Sequence, residues 1–110
     1  MNLEIRLEQD KNEALVYLDG EIDAFTAPKL RDSLFPLVET KDTEVVVNLS
    51  GVNYIDSTGL GVFVGAFKAT HSHESKLQLT AVNERVYRLF SITGLDEVID
   101  IVPEEKEGAK

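Results

Sequence analysis

The chain has no cysteine and no tryptophan, and only two histidines and three prolines among its 110 residues. Without cysteine there can be no disulfide, zinc–thiolate centre or thiol nucleophile. The two histidines, His71 and His73, stand at i and i+2, so on a helix they do not face each other, and a structural zinc site would need further ligands that their neighbourhood does not supply. Positive charge is also scarce. Eleven Lys and Arg stand against 20 Asp and Glu, a formal charge of -9, which makes the phosphate backbone of DNA or RNA a repulsive partner and argues against direct nucleic-acid binding. The same acidity keeps a small domain soluble and would steer it toward a basic protein surface. No apolar run is long enough to span a membrane. The start, Met1-Asn2-Leu3-Glu4-Ile5-Arg6-Leu7-Glu8, lacks the basic opening and continuous apolar stretch of an export signal. A mature cytoplasmic protein with no membrane partner is expected.

What is present fits one compact domain. The apolar fraction of 43% is near the globular average and arrives in short punctuated runs. Leu3, Ile5 and Leu7 alternate with polar neighbours, as do Ala14, Val16 and Leu18 after the polar stretch Gln9 to Glu13. That pattern predicts two half-buried strands joined as a hairpin, the second closing at Asp19-Gly20. Thr26 suits a helix N-cap, with Pro28 tolerated in the first turn, and Leu30, Leu34, Leu37 and Val38 fall on one helical face. Pro36 lacks an N–H and should kink or end that helix. Val45-Val46-Val47-Asn48-Leu49 reads as a central strand. After Asp56-Ser57-Thr58-Gly59-Leu60-Gly61 a second helix is expected to reach about His71, with Leu60, Phe63, Val64 and Phe67 sharing its inner face. Leu77, Leu79 and Ala81 mark another strand; Val86, Leu89 and Phe90 mark a third helix ending near Gly94. A last short strand is expected over 98–102.

The expectation is therefore an α/β domain over 1–103, with a four- to five-stranded mixed sheet, an N-terminal antiparallel hairpin and three to four helices mainly on one side. Residues 104–110 read as a flexible acidic tail.

Enzymatic chemistry finds little footing. Ser57 stands at a strand-to-helix turn, but the Gly-x-Ser-x-Gly pattern is absent, and a helix would carry the histidines about 20 Å from it. No cofactor is expected. Gly59, Gly61 and Gly65 lack the P-loop lysine and the dinucleotide spacing, so close helix packing explains them as readily as phosphate binding. Ser57 itself can be a helix N-cap, but Asp56 can serve the same purpose and leave the serine hydroxyl for another use. A phosphate there would add about -1.5 to -2 charges beside Asp56 and repel a partner packed on this corner.

The segments Leu18-Asp19-Gly20-Glu21-Ile22-Asp23, Thr26-Ala27-Pro28-Lys29-Leu30-Arg31, Val45-Val46-Val47-Asn48-Leu49-Ser50 and Tyr54-Ile55-Asp56-Ser57-Thr58-Gly59-Leu60-Gly61 together resemble the bacterial anti-sigma factor antagonists. That family is built on the STAS domain; the general-stress sigma-B type of Gram-positive bacteria is the nearest form, with the sporulation antagonist as the nearest alternative. The resemblance implies a protein that is an enzyme's substrate rather than an enzyme. The unphosphorylated form would bind an anti-sigma factor serine kinase and release the sigma factor. Phosphorylation of Ser57 by that kinase would end the binding, and a metal-dependent serine phosphatase would restore it. By position, Asp23, Asp56, Thr58, Gly59, Leu60 and Gly61 would contact the partner. Three of them also have a plainer reading: Asp23 as a loop turn, Leu60 as core, Thr58 as a first-turn helix residue. Two alternatives within the fold are a scaffold subunit of a stress-sensing complex, separable by its size in gel filtration, and a small-ligand or nucleotide-binding domain, separable by saturable binding.

Overall fold

A computed structural model describes residues 2–104. Most of the predicted tail lies outside the described residues; Glu104, within them, donates its backbone N–H to Val82 O at 2.8 Å. Five strands form one sheet in the order β1-β2-β3-β4-β5: β1 (Leu3–Asp10), β2 (Glu13–Ile22), β3 (Glu44–Ile55), β4 (Lys76–Val82) and β5 (Asp100–Pro103). The β1–β2 pair is antiparallel and every later pair is parallel. Helices α1 (Ala27–Val38), α2 (Ser57–His73) and α3 (Glu84–Ile92) make the three crossovers, and a 3-10 turn over Leu95–Glu97 leads into β5. Right-handed crossovers that always advance in one direction place their helices on the same face. The mixed sheet, the opening hairpin and the one-sided helices thus agree with expectation.

The buried sheet face carries Ala14, Val16 and Leu18 of β2, Val45, Val47 and Leu49 of β3, and Leu77 and Leu79 of β4. These are the alternate positions that a pleated strand turns to one side. Against them pack Leu30, Leu34, Leu37 and Val38 of α1, Phe63 of α2 and Phe90 of α3, the two rings 6.0 Å apart between centroids. On the other face Leu15, Tyr17, Val46 and Asn48 are only half-buried, and Arg6 lies over the Tyr17 ring at 4.1 Å.

Several elements differ from expectation. The hairpin loop is only Lys11-Asn12, with Lys11 at φ 54; the polar residues on either side stay in the strands, Gln9 opposite Ala14 and Asp10 opposite Glu13. Pro36 is exposed and lies inside α1, which ends two residues later at Val38. The buried stripe of α2 runs through Gly59, Val62, Phe63, Ala66 and Thr70, so Leu60, Val64 and Phe67 sit at its margin, half-buried. Small residues set this orientation, because a helix can approach a sheet more closely over glycine and alanine than over leucine.

The largest difference concerns β2 and β3, which both run past their expected ends. Two irregularities in register let pairing resume, so that Asp19 meets Gly51 and Ile22 meets Ile55. Gly20 makes this possible: its φ is 127, and a Cβ there would lie 2.2 Å from Asn2 O.

Candidate functional site

The late pairing of Ile22 with Ile55 builds the site. Asp56 N–H donates to Ile22 O at 3.1 Å, so the turn that follows β2 and the turn that opens α2 leave the sheet side by side. Six of the seven residues picked out by sequence, Asp56, Ser57, Thr58, Gly59, Leu60 and Gly61, follow β3, and the seventh, Asp23, follows β2. The fold brings the two groups to one end of the sheet.

At the start of α2, Asp56 is the N-cap and its Oδ1 accepts the Gly59 N–H at 3.0 Å. Ser57 is the first helical residue. It is exposed, and its hydroxyl has no hydrogen-bond partner among the described residues. Thr58 is exposed beside it. Gly59 is buried because a Cβ would stand 2.7 Å from Ile22 Cγ2 and 2.8 Å from Ile55 Cγ1, which makes it the contact that seats the helix on both strands. Gly61 is different. It is exposed, and a Cβ there would meet nothing within 4 Å. Among the described residues no packing explains the glycine, which lies one turn beyond Ser57 on the same helix face. Gly65 faces Phe35 of α1, where a Cβ would stand 3.0 Å from Phe35 Cζ, a helix–helix contact.

The β2–α1 turn is closed by its own side chains. Asp23 Oδ1 accepts the N–H groups of Phe25 at 2.9 Å and Thr26 at 3.0 Å. The Thr26 hydroxyl accepts the Asp23 N–H at 2.9 Å and donates to Glu21 O at 2.8 Å. Thr26 precedes α1 but makes no side-chain cap; its hydroxyl is turned back into the loop. The Thr26 backbone N–H is the main cause that holds the Asp23 carboxyl below its ordinary value of 3.8, opposed in part by burial and aided by the Phe25 N–H. Asp23 is only 9% exposed, whereas Phe25, two residues on, is 80% exposed. Tyr54, opposite Glu21 in the sheet, is 47% exposed. Sequence reasoning passed over Phe25 and Tyr54, because an aromatic residue in a short segment reads as core until the turn around it is known.

His71 and His73 lie at the opposite end of α2, their Nδ1 atoms against Phe67 O and Ala69 O. Among the described residues no three His, Asp or Glu side chains converge as a metal site, and no helix is long and apolar enough to cross a membrane. None of the ion pairs found among the described residues involves the turn 19–27 or the stretch 53–61.

A model of the STAS domain matches residues 4–108. An anti-sigma-B factor antagonist of Bacillus subtilis (strain 168) is 43% identical over 110 residues, 100% of both chains. One of Listeria monocytogenes is 44% identical over 109 residues, 97% of this chain and 95% of the other. The crystal structure of an anti-sigma factor antagonist from Mycobacterium paratuberculosis superposes with a TM-score of 0.82 at 24% identity, covering 93% of this chain and 86% of that one. It shares the fold. Matched by that model over nearly all its length, and by these relatives from end to end, the chain belongs to the STAS domain family, alongside the anti-sigma-B factor antagonists.

Proposed function

We propose that this chain is an anti-sigma factor antagonist whose binding is switched by phosphorylation of Ser57. The observation that carries the reading is the division of labour at the start of α2: Asp56 caps the helix, and the Ser57 hydroxyl is exposed and has no hydrogen-bond partner among the described residues. A kinase can modify that hydroxyl without removing a bond that holds the fold. The resulting phosphate would sit at a helix N-terminus, where an anion is favoured by about 0.3–1 kcal/mol, so the domain tolerates it. The partner does not. About -1.5 to -2 charges would face any protein packed over Ser57 and the bare backbone at Gly61. A penalty of about 4 kcal/mol there would weaken binding roughly a thousandfold.

In this reading the unphosphorylated chain binds an anti-sigma factor serine kinase and displaces the sigma factor, which goes on to direct stress-response transcription. The kinase phosphorylates Ser57 and the complex dissociates; a metal-dependent serine phosphatase restores the hydroxyl. Thr58, Leu60 and Gly61 form the docking face, with Asp56 beside the phosphoacceptor. Gly59 acts beneath that face by seating the helix. The chain is the substrate of this chemistry, and the described residues offer Ser57 no histidine base.

The nucleotide-binding alternative draws no support from the topology. In open parallel sheets such ligands sit where the strand order reverses, and here the order never reverses. Gly59 and Gly65 are explained by packing. A groove of about 550 Å³ is lined by Asn53, Asn83, Glu84, Arg85 and Arg88, with none of those glycines in its lining.

The test is intact mass with site mapping after incubation with ATP and the candidate kinase, using wild type, Ser57→Ala and Ser57→Asp, followed by a binding measurement on each. One phosphate on Ser57 with loss of binding, mimicked by Asp and not by Ala, is the expected result. A phosphate elsewhere, or binding indifferent to it, removes the reading.

A further inference from the structure

Phe25 is 80% exposed, a costly place for a phenyl ring in water. A single ring exposed on a surface is by itself ordinary, and what sets this one apart is its backbone. Here the backbone is held. Asp23 Oδ1 accepts the N–H of Phe25 itself and that of Thr26, the Thr26 hydroxyl bonds back to Asp23 N and Glu21 O, and Ala27 N–H donates to Asp23 O at 2.8 Å. The turn is therefore fixed before any partner arrives, and little backbone freedom remains to be lost on binding. It is also placed beside Ser57, since β2 and β3 deliver the two turns from the paired residues Ile22 and Ile55.

The two turns and the strand ends that lead into them, residues 19–27 and 53–61, carry Asp19, Glu21, Asp23 and Asp56 and no Lys or Arg, and none of the ion pairs among the described residues involves them; Lys29, in the first turn of α1, donates its Nζ to Leu3 O. The complementary surface is an apolar pocket with a basic rim. Aromatic residues, phenylalanine among them, are enriched in the buried cores of protein–protein interfaces.

We propose that Phe25 is the apolar anchor by which this chain enters a basic-rimmed hydrophobic pocket on its protein partner, and that Asp23 contributes by holding the turn that presents Phe25 rather than by touching the partner. The inference rests on the reading of Ser57 above and adds to it the residue that supplies affinity. Asp23 is a positioning residue here: with its carboxylate turned inward onto two backbone N–H groups, its effect on binding passes through the ring.

The experiment is calorimetric titration of the full chain against the anti-sigma factor kinase at fixed salt, comparing wild type with Phe25→Ala, Phe25→Tyr, Asp23→Ala, Asp23→Asn, the Phe25→Ala/Asp23→Ala pair and Ser57→Asp. Phe25→Ala is expected to weaken binding about 30-fold with its unfolding temperature unchanged, and Phe25→Tyr to retain it. Asp23→Asn keeps the Oδ1 acceptor and should retain binding, whereas Asp23→Ala should lose it. The double variant should be no worse than Phe25→Ala, as expected of residues acting through one contact. If Phe25→Ala binds like wild type while Ser57→Asp does not, the anchor is refuted and the Ser57 reading stands. If Asp23→Asn fails as badly as Asp23→Ala, the carboxylate charge meets the partner and the positioning role is refuted. A wild type that does not bind, or binds no better than Ser57→Asp, overturns both. A change in the mass of the free chain on Phe25→Ala would show that the ring meets a second copy, and the pocket on a partner is then refuted.

Discussion

Asp56 Oδ1 holds the Gly59 N–H at 3.0 Å, while the hydroxyl of Ser57, the next residue and an exposed one, has no partner among the described residues. The two neighbours therefore respond differently to truncation. Asp56→Ala removes the cap and should cost about 1 kcal/mol, and Asp56→Ser should recover most of it. Ser57→Ala should change stability by less than about 0.5 kcal/mol, as is usual for surface positions without a structural role. Urea unfolding of the three variants measures both. A large loss on Ser57→Ala would mean that the serine is the structural cap.

Gly61 separates stability from function. A glycine inside a helix is less favourable than alanine by about 0.5–1 kcal/mol, and a Cβ at Gly61 meets nothing. Gly61→Ala is expected to raise the unfolding temperature by about 4 °C, yet to weaken partner binding by placing a methyl where the backbone is now bare. Thermal unfolding and titration of one protein sample decide it; unchanged binding would take Gly61 off the docking face.

Gly59→Ala should do the reverse to stability. Its Cβ would collide with Ile22 and Ile55 side chains and stand 3.0 Å from Ile22 O, where the backbone cannot yield as a side chain can. Overpacking of this kind costs typically about 1–3 kcal/mol. A chemical-denaturation midpoint equal to wild type would show that the α2 start can shift outward without loss.

Acid should weaken the fold in part through Asp23. Its folded pKa is lowered from 3.8, so the unfolded chain takes up its proton first as pH falls, and the stabilisation from this carboxylate, complete above 3.8, is lost as pH descends through the lower folded value. The stability gap between wild type and Asp23→Asn should therefore be constant near neutral pH and shift against wild type in acid. Denaturation curves collected at pH 7 and below pH 4 check the sign, and a gap independent of pH would show that Asp23 does not couple folding to protons.

Much of this was legible in the chain. The alternation at Ala14, Val16 and Leu18 and the run Val45–Leu49 announce their strands because one buried face imposes a period of two. Asp56-Ser57 is readable as a helix start since both residue types cap. The ends of β2 and β3 were not. Gly20, Ser50, Gly51 and Asn53 break the apolar rhythm, and only the resumed pairing, a contact between distant parts of the chain, shows that Val52 and Ile55 are strand residues. For the same reason Asp23 was identified as a partner contact by resemblance, whereas its two backbone hydrogen bonds and low exposure appear only once the turn is built. The inner face of α2 was misplaced by about a quarter turn because hydrophobicity favours Leu60 and Phe67, and close approach favours Gly59 and Ala66.

The strand order β1-β2-β3-β4-β5 also bears on how the molecule is made. Each strand pairs with the one synthesised just before it, so a chain emerging from the ribosome can lay down the hairpin first and then add one helix–strand unit at a time. No strand has to wait for a later one or be inserted between two already in place. The edge on which Ile55 must settle is complete once Ile22 has emerged, so the two turns that make up the site can come together when only about the first half of the chain has emerged.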